Sequence, residues 1–198
     1  LVHTFYQELW RLEVASQSSL TRTSYASLHP NLEFAEYLRS PSVAARHLRT
    51  RLRLNLYGAI GDVSRRSTRV PHCDRGPCEV CGADAVETVD HFLLHCAGFA
   101  HQRGELEAAM RKVGNVVLTA ALCATVGTPA GDDLRRALLL GGPVEPLLSP
   151  YDPVAGTRAV LSRGDKRRLD AACSRHLRAV CRSRDARHRD ASRAPAPA

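Results

Sequence analysis

The chain has 198 residues, 44% of them hydrophobic, which fits one domain or one domain with extensions. Aromatic residues supply only 5%, so the core falls to Leu, Val and Ala. A net charge of +8 favours nucleic acid or another anionic surface as partner, and the lack of any run of about 18 apolar residues argues against a membrane helix.

The basic residues are almost all Arg, with Lys only at Lys112 and Lys166. Arg forks onto phosphate and stacks on bases better than Lys does. A GC-rich genome would enrich Arg as well, alongside the abundant Ala, Gly and Pro. Leu1 opens directly into Val2-His3-Thr4-Phe5-Tyr6, which reads as the middle of a longer protein or a truncated open reading frame. With no charged n-region ahead of an apolar stretch, no secretory signal is visible and an intracellular setting is expected, nucleus or cytoplasm being open.

Residues 1–20 carry Phe5, Leu9 and Leu12 at helical spacing and read as a helix. Residues 21–41 are mixed, with a short turn near Phe34-Leu38, so 1–40 is expected to be an N-terminal helical linker. Ser40-Pro41 offers an N-cap and a first-turn Pro for the next helix. That helix carries Ala45, Leu48, Leu52 and Leu56 on one face. Arg46, Arg49 and Arg53 share a face beside that stripe and are expected to point outward, free for a partner. Arg65, Arg66 and Arg69 follow in a loop. Residues 46–69 hold seven Arg and one Asp.

Residues 70–87 read as loop. Thr88 is placed to cap a helix through His91-Leu94, and a second helix reaches Val113 before Gly114 stops it. Residues 41–114 therefore read as one domain, a basic helix with a compact metal-binding unit. Two helices separated by Gly127-Thr128-Pro129 occupy 115–140. Residues 141–158 read as a Gly- and Pro-rich loop, and Asp165 is placed to cap a last helix with Leu169, Cys173, Leu177 and Val180 on one face. This C-terminal helical region is taken as 115–181. The tail 182–198 has five Arg and two Asp without a large apolar residue, and disorder is expected there. The fold class expected is mainly α: a small helical domain organised around a metal site.

Four of the seven Cys fall between Cys73 and Cys96. Without a secretory signal, such clustering points to a metal rather than to disulfides. The pattern Cys78-x₂-Cys81-x₉-His91-x₄-Cys96 supplies three thiolates and one imidazole, a closed soft set that suits one structural zinc ion and excludes Ca²⁺ or Mg²⁺. Gly82 lets the chain turn back after Cys81. His91 and Cys96 are five apart, about 140° out of phase on an ideal helix, so the helix must unwind before Cys96. Cys73 as a ligand and His95 in place of His91 are the alternatives. Cys123, Cys173 and Cys181 read as small core residues.

These residues carry a resemblance. Arg49-x-Arg51-Leu52-Arg53, Cys78-x₂-Cys81, Glu87-Thr88-x₂-His91-Phe92-Leu93-x₂-Cys96, Phe99 and Arg103 together resemble the zinc-binding region after the polymerase in non-LTR retrotransposon reverse transcriptases. The likeness covers about residues 37–106. It implies zinc at Cys78, Cys81, His91 and Cys96, and a grip on RNA or DNA, mainly through phosphate, with Arg46, Arg49, Arg53, Arg65, Arg66 and Arg69 as contacts. An upstream reverse transcriptase domain is a further implied partner. The chain departs from the family's whole protein in lacking a Tyr-x-Asp-Asp strand: its adjacent acidic pair Asp132-Asp133 follows Gly131. No catalytic residues are therefore assigned, and a C-terminal fragment is expected. The alternative is a structural or protein-interaction zinc module packed on a polymerase body.

Overall fold

The computed structural model describes residues 38, 40–53, 78, 80–84, 88–152 and 161–191, the side chains of the last helix through 186. The expected N-terminal helix, Leu56, and Arg65, Arg66, Arg69 and Cys73 lie outside the described residues. Those described are mainly helical, with no strand among them. They form α1 (Val43–Arg53), a π-helical turn (His91–His95), a 3-10 turn (Ala97–Phe99), α2 (Ala100–Arg111), α3 (Val116–Ala124), α4 (Pro129–Leu140), the short α5 (Glu145–Leu148), a second 3-10 turn (Ser149–Tyr151) and α6 (Arg163–Ala191). Among the described residues no helix is long and apolar enough to cross a membrane.

Local chemistry explains most boundaries. Asn115 caps α3 by accepting from the Leu118 amide at 2.9 Å, and Thr128 caps α4 from the Gly131 amide at 3.2 Å, with Pro129 in the first turn. Gly114 and Gly127 take positive φ values of 79° and 71°, where a Cβ would be strained, and so let the chain reverse between helices. Two expected caps move. Ser42, not Ser40, receives the Ala45 amide at 3.2 Å, because the Ser40 hydroxyl donates to Asp170 on α6 at 2.8 Å. Ser162 caps α6 by accepting from the Asp165 amide at 3.1 Å, while Asp165 accepts from the Ser162 amide at 3.1 Å: Asp165 is the returning half of a capping box.

Helix α6 is the spine. α2 and α4 pack along it, and α1 lies against both α4 and α6. Leu169, Cys173, Leu177 and Val180 are buried on its inner face as the periodicity requires. Cys173 and Cys181 are core residues, but Cys123 is exposed on α3. The helix also runs past Arg182, where disorder was expected, and Arg184 is buried at 4% exposure, so packing continues into that stretch. Within 141–158, α5 and the 3-10 turn replace the first part of the expected loop, anchored by the buried Leu148. One buried cluster runs from Leu52 through Phe92, Phe99 and Leu122 to Cys181, so both halves of the chain contribute to the same core.

The arginine face of α1 points the other way from the expectation. Arg49 and Arg53 are each 1% exposed. Arg49 donates from Nε to the Leu139 carbonyl at 2.8 Å and pairs with the Asp170 carboxylate. Arg53 donates to the Leu140 carbonyl at 2.6 Å. Those carbonyls belong to the last turn of α4, where helix geometry leaves acceptors without an intrahelical donor and gathers partial negative charge. Two guanidinium groups from α1 therefore close the C-terminus of α4. Both side chains are internal rather than outward-facing; Arg46, half-buried, bonds the Ser40 carbonyl at 2.7 Å.

Candidate metal centre

The first half of the centre is a tight loop. The Gly82 amide donates to the Cys78 carbonyl at 2.8 Å and the Cys78 amide donates to the Ala83 carbonyl at 3.1 Å. Gly82 sits at φ 68°, which permits the reversal. The loop therefore holds Cys78 and Cys81 on one side of a closed turn.

The second half is built on a widened helix. Thr88 accepts from the His91 amide at 3.0 Å and from the Phe92 amide through its carbonyl at 2.9 Å, which starts the helix. The turn His91–His95 is π-helical and closes with the Cys96 amide on the His91 carbonyl at 2.6 Å. Five residues then make roughly one turn instead of overshooting it, so residues spaced five apart come back to one side. Cys96 leaves the helix at ψ 118°. The phase problem read from the spacing is thus solved partly by widening the helix and partly by unwinding it at Cys96.

The two halves meet. One ligand atom each from Cys78, Cys81, His91 and Cys96 lies within 4.8 Å of the others. Cys78 Sγ is 3.8 Å from Cys96 Sγ, and Cys81 Sγ is 3.5 Å from His91 Nε2. Cys78 and Cys96 are buried, Cys81 and His91 half-buried. These four groups could hold a metal ion. The Ala83 backbone holds the Cys81 thiol below its ordinary value, despite some burial. Burial pushes Cys96 up to about 12, with Cys78 and Cys81 adding to the rise. A divalent cation among the sulfurs reverses that balance, since a coordinating thiol loses its proton.

The surroundings fix the second half. Phe92 and Phe99 meet edge to face with centroids 5.3 Å apart, one on each side of Cys96 in sequence. Arg103 on α2 donates to the Cys96 carbonyl at 2.6 Å. Asp90 receives a two-pronged bond from Arg136 on α4, both prongs at 2.8 Å, which pins the start of the π turn to the bundle. The spacing of Asp90 gives no hint of this pair, because its partner is 46 residues away.

His95 stays out of the cluster. Its side chain is 52% exposed and its Nε2 lies 3.4 Å from Asp132. Cys73 lies outside the described residues, as do Arg65, Arg66 and Arg69. No protein-family model matches the chain, and no match was found among curated proteins or solved structures.

Proposed function

We propose that the chain is a zinc-organised helical module that binds nucleic acid, of the kind that follows the polymerase in non-LTR retrotransposon reverse transcriptases. The observation that carries the zinc reading is the convergence of three thiols and one imidazole from two separate segments. With Zn–S of about 2.3 Å and Zn–N of about 2.0 Å, a regular tetrahedron has S···S edges of about 3.8 Å and S···N edges of about 3.5 Å. Two of the six separations, Cys78–Cys96 at 3.8 Å and Cys81–His91 at 3.5 Å, match these edges, and the whole set lies within 4.8 Å. The set has four protein ligands, which is the closed arrangement of a structural site. Three thiolates around a dication leave one negative charge, and Arg103 stands next to Cys96 to offset it. An ion there ties the loop at Cys78 to the π turn and so to the bundle.

That tie bears on the nucleic-acid reading. The segment holding Arg65, Arg66 and Arg69 runs between two anchored points, Arg53 at the end of α1 and Cys78 in the metal loop. With Arg46 they are the proposed phosphate contacts, Arg49 and Arg53 being committed to α4. Binding of this type is mostly counterion release and falls steeply with salt. The inward use of Arg49 and Arg53 favours the second reading, a structural or protein-interaction module packed on a polymerase domain. A salt titration decides between them. The zinc-loaded chain is titrated against generic RNA and DNA at several salt concentrations, alongside an Arg65→Gln/Arg66→Gln/Arg69→Gln variant. Salt-dependent binding weakened in the variant supports the first reading. Absence of binding by the parent chain to either nucleic acid would remove it.

A further inference from the structure

Helix α6 carries a second basic feature that its own periodicity defines. At about 100° per residue, Arg167, Arg168, Arg175, Arg178 and Arg182 fall within an arc of about 100°. The opposite side holds the buried Leu169, Cys173, Leu177 and Val180. Arg167, Arg168, Arg175 and Arg182 are exposed and Arg178 is half-buried. Arg178 donates to the Ser42 hydroxyl at 3.3 Å, and Arg168 pairs with Asp165 at 2.9 Å. The side chains of Arg167, Arg175 and Arg182 have neither a hydrogen bond nor an ion pair among the described residues. From 167 to 182 the row is about 22 Å long. The acid inside that span, Asp170, is turned to Arg49 and Ser40.

We propose that this row is a phosphate-contacting surface and that its occupant is duplex DNA. The inference rests on the nucleic-acid reading above, but it assigns a different element and different residues. Charge complementarity selects a polyanion, and guanidinium groups on a helix held rigid by its inner face match a polyanion that is itself straight and stiff. The residues between the arginines on the exposed side are small, Ala171 and Ala179. An amphipathic helix that enters a membrane surface needs large apolar residues beside its charges, and among the described residues the exposed large apolar side chains are Leu38, Val43, Val116 and Val126, none on α6. Single strands are gripped by aromatic stacking, which this row does not offer. The major groove of B-form DNA admits an α-helix, whereas the deep, narrow groove of A-form RNA does not.

The test uses the full zinc-loaded chain, an Arg167→Gln/Arg175→Gln/Arg182→Gln variant and the matching triple Lys variant. Each is titrated with a random-sequence DNA duplex, a single-stranded RNA of equal length and polyglutamate. On the duplex, the slope of log affinity against log salt should fall by about 2 to 3 in the Gln variant and stay near the parent's in the Lys variant. The urea midpoint of both variants should match the parent's, because exposed charges contribute little to stability. A parent that binds the duplex with the same affinity and slope as the Gln variant overturns this surface while leaving the nucleic-acid reading in place. Loss confined to single-stranded RNA or to polyglutamate overturns the choice of duplex DNA. A parent that binds no nucleic acid overturns both readings.

Discussion

Replacing Arg49 with Ala tests the finding that the arginines of α1 are internal braces. The Arg49 side chain is 2% exposed and its partner Asp170 26% exposed. Removing one member of a buried pair costs about 3–5 kcal/mol, because the other charge is left uncompensated. Asp170 is partly solvated and still accepts from Ser40 at 2.8 Å, which favours the lower end. The Leu139 carbonyl loses its donor in addition, and an unsatisfied buried acceptor costs about 1–3 kcal/mol. A total loss of about 4 kcal/mol is expected. With m near 2 kcal/mol/M for urea, the midpoint should drop by about 2 M at unchanged m. Arg46→Ala, at a half-buried site with one bond to the Ser40 carbonyl, should lose less than about 1 kcal/mol. An Arg49→Met/Asp170→Leu double variant should regain much of the loss, since the stranded carboxylate is gone. Equal midpoints for Arg49→Ala and Arg46→Ala would refute the brace and return Arg49 to the candidate phosphate contacts.

Glycine and histidine positions give further checks. A Cβ at Gly131 would stand 2.0 Å from the Thr125 carbonyl oxygen, so Gly131→Ala should lose about 2 kcal/mol or more in urea unfolding. Gly104, inside α2 with open space around it, should gain about 0.5–1 kcal/mol as Ala, and a loss there would contradict the packing described. His176 is 6% exposed, and burial, with Arg103 adding, holds its pKa down to about 4 against the ordinary 6.5. The unfolded chain then binds the extra proton between those values, so this contribution is intact above pH 6.5 and is lost as pH falls toward 4. The parent's unfolding midpoint should therefore fall more steeply over that window than that of His176→Leu; parallel curves would show that the imidazole is not held neutral.

How far the sequence could be read depended on the range of the interaction concerned. Thr88, Gly114, Thr128-Pro129 and the Leu169–Val180 stripe act over three to seven residues, and each is legible as a local pattern. The Cys-x₂-Cys loop is local too, and its partner half is recognisable because thiol and imidazole spacing is restrictive. The direction of Arg49 and Arg53 was illegible for the opposite reason. An amphipathic helix with Arg flanking a Leu stripe normally turns the charges to water, and here the deciding groups are Asp170, 121 residues away, and the terminal carbonyls of α4. The last helix outran its expected end because Arg184 is buried in the packing, although its composition resembles that of a solvated tail. The π turn was half legible: the five-residue spacing demanded a departure from ideal geometry without specifying that the helix would widen.

X-ray absorption at the zinc edge of the purified chain tests the centre most directly, with His91→Ala and His95→Ala measured beside it. One zinc per chain is expected, with three sulfurs at about 2.3 Å and one nitrogen at about 2.0 Å. His91→Ala should lose the nitrogen shell or the metal, while His95→Ala should leave the spectrum unchanged. A chain without zinc, a shell of oxygen and nitrogen alone, or equal spectra from the two histidine variants would contradict the zinc centre.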